Sequence, residues 1–135
     1  MGKKRVLIVD DNLIVRSMVR QVFELEPGFE VLGEAENGLE AIAQAEALRP
    51  DLIVLDLTMP VMTGLDAAPQ LRKILPDVGL ILFTVEEGTE VERLARESGI
   101  QAVVPKSQAA SQLVRKALDL MASIEPSPNQ LRDAS

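Results

Sequence analysis

Short apolar runs alternate with longer segments of helical periodicity along most of this chain. The run from Leu52 to Leu55 contains no polar residue, which is typical of a strand buried on both faces of a sheet. In the intervening segments apolar residues recur every three or four positions, which indicates amphipathic helices. Five strands that alternate with five helices predict an α/β fold, a doubly wound parallel sheet covered on both faces. The predicted strands are residues 6–9, 29–35, 52–55, 78–85 and 102–104.

The first helix is predicted to start near Asn12, with Asp11 or Asn12 as its cap, and to end at Pro27-Gly28. Helical spacing predicts an apolar face made of Ile14, Met18, Val22 and Leu25. Arg16, Arg20 and Glu24 are placed on another face. The second strand is more polar than the others and is therefore predicted to lie near an edge of the sheet.

Two later helices carry recognisable boundary signals. Residues 89–92 have the spacing of a capping box, and Gly99 is the predicted C-terminal cap of the same helix. Ser107 is the predicted cap of the last helix. The apolar stripe predicted for that last helix consists of Leu113, Val114, Ala117, Leu118 and Met121.

Composition and charge narrow the function classes. The 135 residues are 47% hydrophobic and 26% charged, as in one globular domain, and no segment reaches transmembrane length. Because the chain contains neither Cys nor His, disulfides, thiol chemistry, His-based zinc sites and Ser-His-Asp triads are excluded. The net charge is −7 and the basic residues are scattered, so we expect no direct binding to nucleic acid. We predict a soluble, cytoplasmic protein that does not bind membranes.

Polar side chains stand where four of the predicted strands end. Asp10-Asp11 follows the first strand, Asp56 follows the third, Thr84 lies near the end of the fourth and Lys106 comes after the fifth. Because sites in open α/β sheets lie beyond the carboxyl ends of the strands, we expect these side chains at one rim. Neighbouring carboxylates repel one another and raise their pKa values, a conflict that a bound divalent cation removes. Carboxylate and water ligands suit Mg²⁺, which also accepts a phosphate oxygen.

With a metal bound, Asp56 could act as a nucleophile toward a phosphoryl group and form an acyl phosphate. The Thr84 hydroxyl, the Lys106 ammonium and Mg²⁺ could each stabilise one equatorial oxygen of the transition state. The alternative is that each residue is a helix cap or a solvated charge, which is the commoner role for any one of them. Chance would place all five at strand ends far less often.

Four stretches of sequence resemble the receiver domain of bacterial two-component response regulators, over about residues 4–122. They are V-L-I-V-D-D-N, D-L-I-V-L-D-L-T-M-P-V-M-T-G, F-T-V and V-P-K-S. The resemblance implies a flavodoxin-like sheet with the strand order 2-1-3-4-5. It also implies that Asp56 is the phosphoacceptor, and that a sensor histidine kinase or a phosphotransfer protein supplies the phosphoryl group.

The same resemblance implies a role for each residue at the rim. The implied ligands of Mg²⁺ are Asp11, Asp56 and the backbone carbonyl of Thr58. Asp10 would act on the metal through water, Thr84 would be the switch hydroxyl, and Lys106 would bind the phosphate. Thr58 and Glu86 stand at the two positions that tune dephosphorylation in the family, and our hypothesis is that Glu86 affects how the attacking water is held.

The chain departs from the family's pattern at three positions. Val103 stands three residues before the lysine, where the family usually carries Tyr or Phe, so a rotating aromatic ring is not available. Val85 stands where the family prefers a smaller residue, and we expect it to hinder access to Asp56. Ser107 replaces the proline that often follows the lysine, which leaves the geometry of that peptide bond open.

We expect a phosphorylation-controlled binding module rather than an enzyme, although it would catalyse its own phosphorylation and dephosphorylation. Phosphorylation would shift a two-state equilibrium and change the face formed by the fourth helix, the fifth strand and the fifth helix. Two alternatives stay open. One is a phosphorylation-independent scaffold, and the other is a Mg²⁺-dependent phosphatase of the haloacid-dehalogenase type, which would need a second Asp where Thr58 stands.

The sequence leaves the output of the domain open. Residues 125–135 lack periodicity, and residues 123–135 are predicted to form a disordered tail or a linker. The chain is either a stand-alone receiver that contacts an unknown downstream protein or part of a longer regulator with an effector domain. Pairing of two copies through the last helix, to give a homodimer, is a further alternative.

Overall fold

Residues 2–124 are described by the computed structural model of the chain. The strands are β1 Lys4–Val9, β2 Phe29–Ala35, β3 Leu52–Leu55, β4 Gly79–Thr84 and β5 Ala102–Pro105. The helices are α1 Leu13–Glu24, α2 Gly38–Leu48, α3 Gly64–Ile74, α4 Thr89–Glu97 and α5 Ala110–Ile124. The tail was predicted to begin at residue 123, but helix α5 includes residues 123 and 124. The rest of the predicted tail lies outside the described residues.

The five strands form one parallel sheet in the order β2-β1-β3-β4-β5. This confirms the doubly wound, flavodoxin-like fold, and β2 lies at an edge as predicted. Every residue of β3 and β4 is buried, because these strands have neighbours on both sides and helices on both faces. The switch in strand order lies between β1 and β3, so the carboxyl ends of these two strands are adjacent.

Two apolar cores lie on opposite faces of the sheet. Helices α1 and α5 pack on one face, and helices α2, α3 and α4 pack on the other. The first core includes an edge-to-face contact between Phe23 and Phe29, whose ring centroids are 5.0 Å apart. The stripe predicted for α5 is confirmed except at Leu118, which is 42% exposed.

The predicted apolar face of α1 is confirmed at Val22, which packs against the core, and is wrong at its other three positions. Ile14 and Leu25 are 80% and 83% exposed, and the buried residues of α1 are Arg16, Val19 and Phe23. Apolar residues cover about half of the circumference of this helix, a wider arc than the part that packs on the sheet, so periodicity alone does not decide which side of the arc is buried. Asn12 is the N-terminal cap, and its side chain accepts hydrogen bonds from the backbone of residues 14 and 15.

The predicted caps of α4 and α5 are also partly wrong. Helix α4 begins at Thr89, so Gly88 occupies the N-terminal cap position and no side chain caps the helix. Gly99, with φ +90°, follows the last helical turn and ends the helix as predicted. Ser107 lies before the start of α5, and its hydroxyl is 3.3 Å from Glu87 Oε2. Within residues 2–124, no helix combines the length and the apolar composition needed to cross a membrane.

Candidate functional site

Asp10 and Asp56 lie next to each other because the strands that precede them are paired. Val9 and Leu55 are partners in the β1–β3 ladder, and the backbone N–H of Asp56 donates to the carbonyl of Val9 at 3.0 Å. The next residue on each strand therefore places a carboxylate at the same point on the rim. Both side chains are buried, with Asp10 3% and Asp56 7% exposed.

Lys106 joins the two buried carboxylates from the far side of β4. Its backbone N–H donates to the carbonyl of Thr84 at 2.7 Å, and its side chain extends past the end of β4. Nζ lies 2.8 Å from Asp10 Oδ2 and 3.3 Å from Asp56 Oδ2. One ammonium thus neutralises part of the charge of two buried acids.

The ionisation of these groups reflects burial and mutual contact. Burial raises the pKa of Asp56, the charge of Asp10 raises it further, and Lys106 only partly offsets both effects. Burial alone would lower the pKa of Lys106, but its hydrogen bond and ion pair with Asp10 and its contact with Asp56 outweigh burial and raise it. The charged form of Lys106 is therefore stabilised, whereas the charged form of Asp56 is destabilised.

Asp11 completes a cluster that could hold a cation. Asp10, Asp11 and Asp56 each offer a carboxylate oxygen, and these three oxygens lie within 4.8 Å of one another. Asp11 is exposed, so the cluster opens to solvent on its side. Oxygen ligands at this spacing fit one hard divalent cation such as Mg²⁺, with water filling the remaining positions.

The hydroxyl groups of Thr84 and Thr58 both donate to Glu86 rather than to the three aspartates. Thr84 is fully buried at the end of β4, and its hydroxyl donates to Glu86 Oε2. The Thr58 hydroxyl donates to Glu86 Oε1 at 3.4 Å. The hydrogen bond from Thr84 is the main reason that the pKa of Glu86 is lowered. Glu86 therefore engages both hydroxyl groups that flank the acidic cluster.

The loop after Asp56 contains one very close approach and one strained residue. A Cβ atom on Gly64 would lie 2.2 Å from the carbonyl oxygen of Asp56, so only glycine fits there. The Gly64 N–H donates to the carbonyl of Leu57 at 3.0 Å, which holds the start of α3 against the first residues of the loop after Asp56. Val61 has φ +69° and is 75% exposed, a conformation that a β-branched residue rarely adopts.

The structure shows where the three residues that depart from the receiver-domain pattern lie. Val103 lies half-buried in the edge strand β5, and Val85 is 68% exposed just beyond Thr84. No cis peptide bond occurs in residues 2–124, so the Lys106–Ser107 bond is trans. That Val85 hinders access to Asp56 stays a prediction.

Sequence reasoning missed Arg16. It was placed on a polar face, yet it is 7% exposed and its Nη1 atom donates to the backbone carbonyl of Asp10 at 2.6 Å. The usable signal was an arginine within an otherwise apolar helical turn next to an acidic strand end. The correct orientation of α1, which periodicity did not provide, was needed to interpret that signal.

The comparison with protein families identifies the chain. Residues 6–118 match the family model described as the response regulator receiver domain. The chain belongs to this family. The match covers the strand-end acids, Thr84 and Lys106, and the strand order is that of the family fold.

Relatives of this receiver domain include proteins with further domains. A protein-glutamate methylesterase/protein-glutamine glutaminase of Pyrococcus horikoshii is 37% identical over 120 residues, which is 87% of this chain and 33% of that protein. The response regulator protein VraR of Staphylococcus epidermidis is 36% identical over 126 residues, which is 90% of this chain and 60% of VraR. The chain thus spans about a third of the first relative and less than two thirds of the second.

A solved structure supports the same conclusion. The two-component response regulator of the LuxR family from Aurantimonas is 30% identical, with a TM-score of 0.86 over 97% of this chain and 94% of that one. Receiver domains bind Mg²⁺ at an acidic pocket, and Asp10, Asp11 and Asp56 of this receiver domain form a cluster of carboxylates.

Proposed function

We propose that this receiver domain accepts a phosphoryl group on Asp56 from a histidine kinase or a phosphotransfer protein, in a reaction that depends on Mg²⁺. The observation that carries the proposal is the position of Lys106 Nζ, within 3.3 Å of a carboxylate oxygen of Asp56 and of Asp10, beside three acids with oxygens 4.8 Å apart or less. A cation and an ammonium on two sides of one carboxylate can neutralise an incoming phosphoryl group.

In this mechanism an Asp56 oxygen attacks phosphorus in line with the leaving group, whose bond to phosphorus breaks as the acyl phosphate forms. Mg²⁺ held by Asp11, Asp56 and the Thr58 carbonyl, with Asp10 acting through water, would supply charge neutralisation. Lys106 keeps its contact with Asp10 and exchanges Asp56 for a phosphoryl oxygen. Thr84 leaves Glu86 and donates to another phosphoryl oxygen.

The signal then leaves through the segment that follows Thr84. Loss of the Thr84 hydrogen bond removes one of the two hydroxyl contacts of Glu86, which lies three residues before α4. Ala95 is the buried residue of α4, so this helix is weakly anchored and can respond. Because Val103 cannot act as a rotating ring, we infer that the face of α4, β5 and α5 changes mainly through the position of α4.

The finer predictions about partners stay proposals. The downstream partner is a separate protein or an effector domain, with homodimer formation through α5 as an alternative. The predicted cytoplasmic location, the absence of direct nucleic-acid binding and the absence of enzymatic activity stay predictions. Thr58, which stands where an aspartyl-nucleophile phosphatase needs a second acid, argues against the phosphatase alternative.

The deciding experiment is incubation of the chain with Mg²⁺ and acetyl phosphate, followed by intact mass measurement and NMR. We expect a labile phosphoryl adduct that is absent in Asp56→Asn, together with chemical-shift changes that reach α4 and α5. No adduct in the folded wild-type chain would favour the phosphorylation-independent scaffold. Steady release of phosphate from many esters would favour the phosphatase.

Replacement of Glu86 tests the neighbouring hydroxyl network. If Glu86 helps to hold the attacking water, Glu86→Ala changes the decay rate of the adduct. The matched control is Glu87→Ala, because Glu87 contacts the Ser107 hydroxyl and not Thr84 or Thr58. Equal decay rates in Glu86→Ala and the wild type would dispose of this role.

A further inference from the structure

Arg16 is a buried cation behind the acidic rim. Its Nη1 atom donates to the carbonyl of Asp10 at 2.6 Å, and its Nε donates to Glu34 Oε1 at 2.8 Å. Its Nη2 atom lies 3.7 Å from Glu36 Oε1. A planar guanidinium can reach several acceptors at once in a fixed geometry, and here it links the end of β1 to the edge strand β2.

The hydrogen bond from Arg16 fixes the Asp10 carbonyl in the Asp10–Asp11 turn, which the sheet does not hold in place. The ladder between β1 and β3 ends at Val9, while the Asp10 N–H still donates to the carbonyl of Ala35 at 3.0 Å. The Asp10 carboxylate is held by the Asn12 N–H at 2.9 Å and by Lys106 at 2.8 Å. The Asp10 carbonyl, which begins the peptide that carries Asp11, is held by Arg16.

Arg16 is itself held in place from the β2 side. Glu34 accepts from Arg16 with one carboxylate oxygen and from Arg20 Nε with the other, at 2.7 Å. The Glu34 carbonyl accepts from Gln44 at 2.6 Å, so this strand position is fixed by α2 as well. The guanidinium therefore has an anchored partner and little freedom to turn away from Asp10.

We propose that Arg16 is a positioning residue that holds the Asp10–Asp11 turn in the geometry that binds Mg²⁺. The inference rests on the proposed metal site and adds the residue that orders its backbone. Rotation of the Asp10–Asp11 peptide would move the Asp11 carboxylate away from the other two acids. Replacement of a group that orients metal ligands by hydrogen bonds, without binding the metal itself, typically lowers metal affinity by about 10- to 100-fold.

The test uses the full chain and two NMR measurements. One is the Mg²⁺ dissociation constant, from a titration of the unphosphorylated protein, and the other is the exchange rate of the Asn12 amide without metal. Arg16→Lys keeps the charge but loses the planar fork, and we expect a dissociation constant about tenfold higher. We also expect faster exchange of the Asn12 amide, because the turn that brings its N–H to the Asp10 carboxylate is less ordered.

The matched control is Arg20→Lys, which disturbs the same Glu34 carboxylate but touches neither Asp10 nor Asp11. We expect its Mg²⁺ affinity to stay within about twofold of the wild type, as is usual for a partly exposed ion pair. Glu34→Gln provides a second variant that leaves Arg16 in place and loosens its anchor, with a smaller loss of affinity. It keeps the test decisive if the Arg16 variant does not fold.

Wild-type Mg²⁺ affinity and amide exchange in a folded Arg16→Lys chain would overturn the proposal. The same holds if Arg16→Lys does not fold and Glu34→Gln behaves as the wild type, or if Arg20→Lys loses as much affinity as Arg16→Lys. Failure of the wild-type chain to bind Mg²⁺ would count against the proposed metal site. The Asn12 exchange rate alone would then decide whether Arg16 holds the turn.

Discussion

The two flanks of the sheet are built differently. On the β2 side, α1 has a side-chain cap at Asn12 and buries Arg16, Val19 and Phe23. On the β5 side, α4 has no side-chain cap and buries Ala95. An open surface pocket of about 640 Å³ lies at the edge strand β5 and is lined by residues of α4, β5 and α5. The first flank is tied to the sheet by apolar packing and ion pairs, whereas the second is held by few buried contacts.

The candidate site lies where these two flanks meet. The turn that carries Asp10 and Asp11 belongs to the well-anchored flank, through Arg16 and Glu34. Thr84 and Glu86 lead into the weakly anchored one. Local stability follows the number of buried apolar contacts, so the acids should stay in place while α4 shifts. This division is consistent with the proposed function, in which phosphorylation at Asp56 changes the position of α4.

The largest expected effect is the loss of Phe23. Phe23→Ala removes a fully buried ring that packs edge-to-face on Phe29, and we expect it to lower the free energy of unfolding by about 4 kcal/mol. Leu94 is half-buried in α4, so we expect Leu94→Ala to lower the free energy of unfolding by only about 1 kcal/mol. Urea denaturation measures both, with Leu25→Ala at an 83% exposed position as the neutral control. Equal losses of unfolding free energy in Phe23→Ala and Leu94→Ala would contradict the difference between the two flanks.

Native-state hydrogen exchange tests the difference in local stability directly. We expect the central amides of α4 to exchange on the order of 100-fold faster than those of α1, because α4 can open without unfolding the core. Two-dimensional NMR resolves both sets of amides in one sample. Similar protection in the two helices would mean that α4 opens only with the whole domain.

Gly88 offers a smaller test on the weak flank. Its backbone has φ +117° and ψ 175°, a region that residues with a Cβ rarely adopt, so Gly88→Ala should destabilise the protein by about 1 kcal/mol. The control is Gly28→Ala, since a Cβ there would meet its nearest neighbour at 3.8 Å. If thermal unfolding shows no difference between the two variants, the start of α4 adapts freely to a side chain.

The smallest expected effect is electrostatic and belongs to the strong flank. Burial raises the pKa of Glu34, but hydrogen bonds from Arg20 and Arg16 outweigh it and hold the pKa below its ordinary value of 4.5. The ion pairs therefore stabilise the fold above that pH and lose their effect as the pH falls through the lowered pKa. Glu34→Gln should cost about 0.5–1 kcal/mol at pH 7, a cost that disappears in acid.

Thermal unfolding measured between pH 7 and pH 3 follows this loss, because that range spans the ordinary glutamate pKa of 4.5. Glu46→Gln, at an exposed position of α2, is the control and should run parallel to the wild type. A gap between Glu34→Gln and the wild type that widens on acidification would contradict the assignment.

The fold was predictable from sequence for a physical reason, and the face of α1 was not. Strands such as Leu52 to Leu55 are unbroken apolar runs that end in a polar residue, so both the strand and the group that it delivers are visible. Helix α1 carries an apolar arc wider than the part that is buried, so only packing against the sheet selects Val19 and Phe23 within that arc. The same choice buries Arg16, which is why its contact with Asp10 could not be predicted.

The hydrogen bonds around Thr84 could not be predicted from the sequence for a similar reason. The positions of Thr58 and Glu86 relative to their strands were visible, and the family resemblance linked them to dephosphorylation. The hydrogen bonds from both hydroxyl groups to one carboxylate depend on the path of two loops. Loop conformation is not encoded by a repeating pattern, so these contacts emerge only in the structure.

The close approach of Gly64 to Asp56 has a consequence for protein engineering. In a library that randomises the loop and is sorted for folded protein, position 64 should return glycine alone, since any Cβ would collide with the backbone of Asp56, the proposed phosphoacceptor. Position 61 should accept many residues and enrich for glycine and asparagine, which tolerate its positive φ. Loop grafts between relatives can therefore exchange residue 61 freely but must keep residue 64.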